Sequence, residues 1–349
     1  MKNSIGFIAI GQGGGNIGSL FEASGHTVLY ANTSSEDLAT LGGAKHAHHI
    51  KDGEGCHKDR DKAKALVAKD FDDIYAKIGQ TLKEEFVFVV FTAGGGTGSG
   101  ASPMMIDLLI RQAQKKVGAI CVLPARDEPL KTHINAYECF KELEEIEGMG
   151  ATFVLDNSKA EKFFINRDFA DLFSTFIGMP QHHNFKGNID AAEIKELLST
   201  RGAAIISKIS KGSGETPVTA RLIQSLKQNI FAPMEADRAI AYIGLSSATD
   251  VDVAAIAKEV GTPLDVYQGK NPDCTVCALC GLTYPYAELG KMREAVEGSK
   301  ETITKSLLAT RAAKLSDGIN FLNDLNVNRG SQGQAKADVS DVFAKYLKK

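Results

Sequence analysis

The chain has 349 residues, 24% of them charged and 43% hydrophobic, with 34 glycines against 9 prolines, no tryptophan and a formal net charge of −3. That length exceeds what one hydrophobic core usually fills, so about two domains are expected. The balance of 40 basic against 43 acidic residues argues against a polyanion binder acting through its whole surface, and no apolar run reaches the ~18 residues of a membrane span.

The first ten residues hold one lysine and then a short apolar run that meets glycine early, which reads as a first strand over 4–10 and not as a signal peptide. A cytoplasmic chain is therefore expected, with Cys56, Cys121, Cys139, Cys274, Cys277 and Cys280 as reduced thiols. A helix over 16–24 and a strand over 27–31 follow. A polar, histidine-rich stretch covers 42–59, and apolar residues at helical spacing predict one helix over 61–78. Residues 85–91, EFVFVVF, form a buried strand by their continuous apolar character. A glycine loop leads into a helix with Pro103 near its first turn, then a strand over 118–123, a helix over 132–147 and a strand over 151–155. Strands alternating with helices predict an α/β fold with a Rossmann-like, doubly wound, mainly parallel sheet.

The second half is mixed α/β. A long, aromatic-rich central helix is expected over 158–179, and short helices over 191–200, 218–229, 251–260 and 287–296. Strands are expected over 203–209, 239–245, 262–267 and 275–282, and a C-terminal helix over 302–325. Polar residues 326–337 precede an amphipathic basic end. The expected divisions are 1–157 (nucleotide-binding), 158–187 (central helix and linker), 188–300 (a second, smaller domain) and 301–349 (C-terminal helix and tail).

The glycines gather in two loops. Gly11-Gln12-Gly13-Gly14-Gly15-Asn16-Ile17-Gly18 joins the first strand to a helix. Uncovered amides at a helix N-terminus make phosphate its natural ligand. Gly13, Gly15 and Gly18 also match the dinucleotide fingerprint, but the second strand ends in Ala31-Asn32-Thr33, without the ribose-binding acid of a dehydrogenase. The second loop, Thr92-Ala93-Gly94-Gly95-Gly96-Thr97-Gly98-Ser99-Gly100, has no lysine after its last glycine and so is not a Walker A loop. Two such loops at strand ends of one sheet suggest a polyphosphate gripped from both sides.

Gly94-Gly95-Gly96-Thr97-Gly98-Ser99-Gly100 resembles the signature of the tubulin/FtsZ superfamily of self-assembling GTPases, and the first loop resembles that family's first nucleotide loop. The resemblance implies GTP or GDP as ligand, with Mg2+. It assigns nucleotide contacts to Gly11, Gln12, Gly13, Gly14, Gly15, Asn16, Asn32, Gly94, Gly95, Gly96, Thr97, Gly98, Ser99 and Glu128. Gly53 and Gly55 fall where the family senses the γ-phosphate, and the basic residue usual four positions after Glu128 is here Thr132, beside Lys131.

Gly187-Asn188-Ile189-Asp190-Ala191-Ala192-Glu193 resembles the family's synergy loop, which implies Asn188, Asp190 and Glu193 as catalytic residues. Acids three residues apart share a helix face and can polarise a water; the plainer reading is a helix cap. Asn166-Arg167-Asp168-Phe169-Ala170-Asp171 resembles the same loop, but chain order would then leave almost no central helix. Counting back from Asn188 makes Phe164 the base-stacking aromatic, with Asp168 one turn on as acceptor for guanine; the plainer reading of Phe164 is a core aromatic.

If 164–179 is helical, its ends lie roughly 22 Å apart, so Asp190 is expected to serve the next subunit of a head-to-tail filament. The shortened central segment and basic end resemble the plasmid- and phage-encoded TubZ branch, implying a homopolymer that segregates DNA through an adaptor at the tail, with no direct DNA or membrane binding. A cell-division FtsZ and a dinucleotide-dependent oxidoreductase are the alternatives. Cys274-x-x-Cys277-x-x-Cys280 and the group His46, His48, His49, Cys56 and His57 carry metal-like spacing, but a core strand and a surface loop near the phosphates read better, and no metal-ligating set is assigned.

Overall fold

The apolar runs of the first half become parallel strands with helices between them. In the computed structural model, which describes residues 1–182, 184, 187–211, 216–233, 241–312 and 344–347, the elements begin β1 Ile5–Ile10, α1 Gly11–Ala23, β2 Val28–Asn32, α2 Ser35–Ala39 and β3 Ala47–His49. They continue α3 Arg60–Lys69, α4 Phe71–Thr81, β4 Phe86–Thr92, α5 Thr97–Arg111, β5 Lys116–Leu123, α6 Leu130–Glu144 and β6 Ala151–Asp156. Then come α7 Lys162–Ile177, α8 Ala191–Ser199, β7 Gly202–Ser210, α9 Val218–Lys227, β8 Tyr242–Ser246, α10 Val253–Val260, β9 Asp265–Gly269, β10 Cys274–Leu282 and α11 Tyr286–Ala312.

Among the described residues, ten strands form one sheet, ordered β3-β2-β1-β4-β5-β6-β7-β10-β8-β9, with β10 antiparallel to both neighbours and every other pairing parallel. Chain order reverses between β1 and β4. In an open α/β sheet a crevice opens there, beyond the carboxyl ends of the strands. The first and second glycine loops follow those two strands.

Seven aromatics weld the face that carries α1 and α7. Phe173 of α7 meets Phe21 of α1 at 5.4 Å between centroids, Phe88 of β4 at 5.3 Å and Phe153 of β6 at 5.6 Å. Phe7, Phe169 and Phe231 complete the cluster. On the other face α5 passes Phe91, and α3, α5, α6 and α11 pack in succession. α7 begins at the carboxyl edge, after β6. It ends with Ile177 beside Lys2, Ser24 and His26, at the opposite edge of β1, so it spans the sheet.

Several expected boundaries move. The helix expected from residue 16 begins at Gly11, so the first glycine loop is itself the opening turn of α1. The single helix expected over 61–78 breaks at Asp70 into α3 and α4. The Asp70 side chain is fully buried and accepts from His48 Nε2 (2.6 Å) and from the Lys51 amide (3.1 Å), a tertiary demand that no helical periodicity records. His48 and His49, expected in a loop, lie on β3. The helices expected over 287–296 and from 302 are one continuous α11 as far as Ala312. The rest of the C-terminal helix expected to 325, the polar segment 326–337, and Lys336, Asp338, Val339, Asp341, Val342, Phe343, Lys348 and Lys349 of the tail lie outside the described residues, as do residues 239–240 of the strand expected over 239–245.

The six cysteines are free and buried. Cys274, Cys277 and Cys280 fall on β10, where strand alternation sends Cys277 to the face opposite the other two. Burial pushes the Cys277 thiol up to about 12. Among the described residues no three His, Cys, Asp or Glu side chains converge on a metal position, and no helix is long and apolar enough to cross a membrane.

The aromatic cluster sets a stability test. Phe173→Ala is expected to cost about 3–5 kcal/mol in urea unfolding, because it empties the centre of a close-packed core. Phe163→Ala, at a ring 64% exposed, is expected to stay within about 0.5 kcal/mol of the parent.

Candidate functional site

Strand β1 ends and helix α1 begins with no residue between them. Gly11 makes the corner at φ +72°, a left-handed conformation that a Cβ disfavours. Further close approach demands Gly14, where a Cβ would strike the Val90 carbonyl oxygen of β4. α1 is thereby pressed onto the β1–β4 crevice.

Neither α1 nor α5 receives a side-chain cap at its N-terminus, a feature they share with α4, α6 and α9, whereas α2, α3, α7, α8 and α10 each have one. The first-turn amides of a helix lack intrahelical acceptors, and the helix dipole adds partial positive charge to them. Two helix starts left free in this way converge on one crevice.

They bound a cleft of about 390 Å³, lined by Gly11, Gln12 and Gly13, by Asn32, Ser34 and Asp37, by residues 54–57, and by Thr92 and residues 95–98. Asn32 is buried. Its amide donates to Asp37 Oδ2 (3.2 Å), and its Oδ1 accepts from the Ser34 amide (3.3 Å). Thr97 Oγ1 lies 2.7 Å from Thr33 Oγ1, which is 3.3 Å from Cys56 Sγ, so three loops interlock below the cleft. Asp37 and Glu54 add two carboxylates to the wall. Mg2+ takes such oxygen donors, usually one or two of them beside phosphate oxygens.

Of the sequence-assigned contacts, Gly11, Gln12, Gly13, Asn32, Gly95, Gly96, Thr97 and Gly98 line the cleft. Gly14, Gly15 and Gly94 lie behind it, their missing side chains making room for Val90, Leu41 and Thr132. Ser99 is also behind, its hydroxyl donating to the Gly95 carbonyl at 2.5 Å.

Asn16, Phe164 and Asp168 are not among the residues lining the cleft; they stand where α1 and α7 start side by side. Phe21 meets Phe169 at 6.2 Å, and Asn16 and Phe164 each stand five residues before those rings, toward the same edge. Asn16 is exposed, and Phe164 is 57% exposed, which sets aside the core-aromatic reading. Desolvation, and secondarily the Asp171 charge, push the Asp168 carboxyl above the usual carboxylate range against the pull of Lys208. Among the described residues its oxygens take part in no hydrogen bond. Glu128 Oε1 accepts from Lys162 Nζ of α7 (3.0 Å) and from the Ala125 amide (3.3 Å), which fixes it beside the same helix start.

Asn188, Asp190 and Glu193 do not line the cleft. They lie beyond the far end of α7, with Asn188 and Ile189 against Gly269 at the end of β9. The plainer cap reading is present in full. Asp190 Oδ1 accepts from the amides of Ala192 (2.7 Å) and Glu193 (2.9 Å), and Glu193 Oε2 accepts from the Asp190 amide (2.7 Å). The second oxygen of each carboxylate takes no part in the cap.

Sequence reasoning missed Asp37 and Glu54, whereas Cys56 and His57, expected in a surface loop near the phosphates, do line the cleft. The available signal for Asp37 was Ser34-x-x-Asp37, a capping pattern in which Ser34 Oγ accepts from the Asp37 amide.

The packing of α1 can be tested. Gly14→Ala is expected to cost about 1–3 kcal/mol in denaturant unfolding through overpacking against Val90. Gly43→Ala, which meets open space, is expected to change stability by less than about 0.5 kcal/mol.

Comparison with known proteins agrees with this architecture. Residues 4–164 match the family described as "Tubulin/FtsZ family, GTPase domain". The tubulin-like protein TubZ of Clostridium botulinum C phage is 32% identical over 99% of this chain and 100% of its own length. The crystal structure of Clostridium botulinum phage c-st TubZ superposes with a TM-score of 0.78 at 32% identity, over 86% of this chain and 100% of that one. A GTPγS-form protofilament of Bacillus thuringiensis serovar israelensis TubZ shares the fold at a TM-score of 0.77 and 17% identity, over 87% of this chain and 95% of that one. With a relative of that identity along its full length, the chain belongs to the tubulin/FtsZ family of GTPases as a TubZ-like member.

Proposed function

We propose that this chain binds GTP in the β1–β4 cleft, polymerises head to tail, and hydrolyses the nucleotide only when the Asp190 loop of the next subunit closes over it. The observation that carries the reading is the meeting of two helix starts without side-chain caps, with an exposed aromatic and a half-buried carboxylate one turn apart beside them. The backbone amides of Gly11–Gly13 and Gly95–Gly98 hold the phosphates. Phe164 stacks on the base. Asp168 accepts from N1–H and the exocyclic amine of guanine, a donor pair that adenine lacks. Glu128 lies within reach of the ribose, and Asn16 makes a second base contact.

Asp37 and Glu54 suit a Mg2+ ion that travels with the nucleotide; when bound, it offsets phosphate charge. The free oxygens of Asp190 and Glu193 orient and polarise the attacking water from the neighbouring copy, with Asn188 beside them. The separation along α7 supports this division of labour: the cleft and the acidic loop stand at opposite ends of a helix of 16 residues. In this reading residues 1–157 carry the nucleotide, 158–187 transmit along the central helix, and 188–300 present the loop, with α11 running across the expected boundary at 300. The TubZ relatives, one of them solved as a protofilament, support assembly into a filament; its cargo, plasmid or phage DNA, is what the resemblance to the TubZ branch implies. The near-neutral net charge of −3 supports an adaptor, docked at the tail, as the DNA-binding partner.

Phosphate release with GTP is expected to rise sharply above a threshold protein concentration, together with pelleting, and to be absent with ATP. Asp190→Ala should lower turnover at least about 100-fold while costing only about 1 kcal/mol of stability as a lost cap. Wild-type turnover by Asp190→Ala sinks the reading.

The base contacts predict a pH dependence. Only the ionised Asp168 carboxylate accepts both guanine donors. GTP affinity is therefore expected to hold at high pH and to fall as pH drops through its raised pKa, beginning above the range where an ordinary carboxylate protonates. Calorimetric titration should find Asp168→Ala about 10- to 100-fold weaker and free of that pH step, with Phe164→Ala weakened and Phe163→Ala unchanged.

A further inference from the structure

The cleft has little positive charge of its own. Among the described residues that line it, Asp37 and Glu54 are acidic, and neither lysine nor arginine occurs. A nucleoside triphosphate brings several negative charges into that space, and backbone amides supply only partial charges.

Lys58 stands immediately behind the second glycine loop. Its backbone packs on Gly96, where a Cβ would lie 2.9 Å from the Lys58 nitrogen. The Asn135 side-chain amide donates to the Lys58 carbonyl (3.1 Å) and to the carbonyls of Gly94 (3.3 Å) and Gly95 (2.9 Å), tying the residue to that loop. Lys58 is half-buried, and its Nζ donates to Thr132 Oγ1 at 2.6 Å. The ammonium thus rests on a neutral hydroxyl. Among the described residues no Asp or Glu pairs with it, whereas the nearby buried cations Arg60 and Lys64 both pair with Glu142. A partly desolvated, unpaired cation is costly unless an anion joins it.

The backbone adds a second, independent sign. His57 and Lys58 both adopt left-handed conformations, at φ 46° and 61°, as the central pair of a tight turn closed by the Asp59 amide on the Cys56 carbonyl (2.7 Å), positions that glycine and asparagine usually fill. Such strain concentrates where a ligand site needs it. Here the turn brings the Lys58 side chain onto Thr132, the position where the resemblance calls for a basic residue.

We propose that Lys58 supplies the cation for the triphosphate, from the loop of residues 53–58 in place of position 132, its ammonium passing from Thr132 Oγ1 to a phosphate oxygen when the nucleotide binds. The proposal rests on the GTP reading and adds to it the residue that offsets phosphate charge. Lys62 and Lys131 are the natural controls. Both are exposed, and they donate to the loop's Gly55 (2.9 Å) and His57 (3.3 Å) carbonyls.

The test is calorimetric titration of the full chain with GTP at fixed magnesium, below the assembly threshold, with folding checked by circular dichroism. Lys58→Gln keeps a donor for Thr132 and removes only the charge; it is expected to weaken GTP binding about tenfold or more. Lys58→Arg is expected to stay within about threefold of wild type, and Lys62→Met and Lys131→Met within about twofold. The proposal is overturned if Lys58→Gln binds within about twofold of wild type, or if Lys131→Met loses as much as Lys58→Gln. A wild-type chain that does not bind GTP would overturn the nucleotide reading itself.

Discussion

The approach of Gly11 to Gly98 at the β1–β4 crevice is the constraint on which the site depends. A Cβ on Gly11 would stand 3.2 Å from the Gly98 nitrogen, so the two loops touch through backbone and leave no room for side chains between them. Whatever enters must be held by amides, and the two helices that start there have amides to offer because no side chain caps them. Packing and recognition are therefore coupled. Gly14 lets α1 reach β4, the aromatic cluster around Phe173 holds α7 alongside α1, and that pairing sets Phe164 and Asp168 on the first two turns of α7.

The capping box of α8 shows how one set of residues can serve two purposes. Asp190 and Glu193 each commit one oxygen to the helix start and keep the other. A cap of this kind fixes the rotamers of both carboxylates before any partner arrives, so little ordering entropy remains to be lost on assembly. The structural and catalytic readings of this motif are compatible, because the cap pre-orients what the chemistry would use.

Legibility in the sequence followed locality. The central strands were visible as apolar runs, and the two glycine loops as strand-to-helix punctuation. Features imposed by distant contacts were hidden. The break at Asp70 comes from a buried carboxylate held by His48 and the Lys51 amide, and β3 is a short, polar edge strand with no alternating pattern. Glycine's poor helix propensity concealed that Gly11–Gly15 already belong to α1, a position tolerated because the helix opens there against the sheet. Asp37 and Lys58 belong to no extended motif, and their significance appears only when the chain folds Asn32, Gly96 and Thr132 around them.

The central claim, that one copy's acidic loop completes its neighbour's nucleotide site, is tested most directly by cryo-electron microscopy of filaments assembled with a slowly hydrolysed GTP analogue. The account predicts that Asp190 and Glu193 of one subunit face the terminal phosphate in the β1–β4 cleft of the next, with Phe164 stacked on the base. A filament in which Asp190 faces solvent while other residues close the cleft would contradict it.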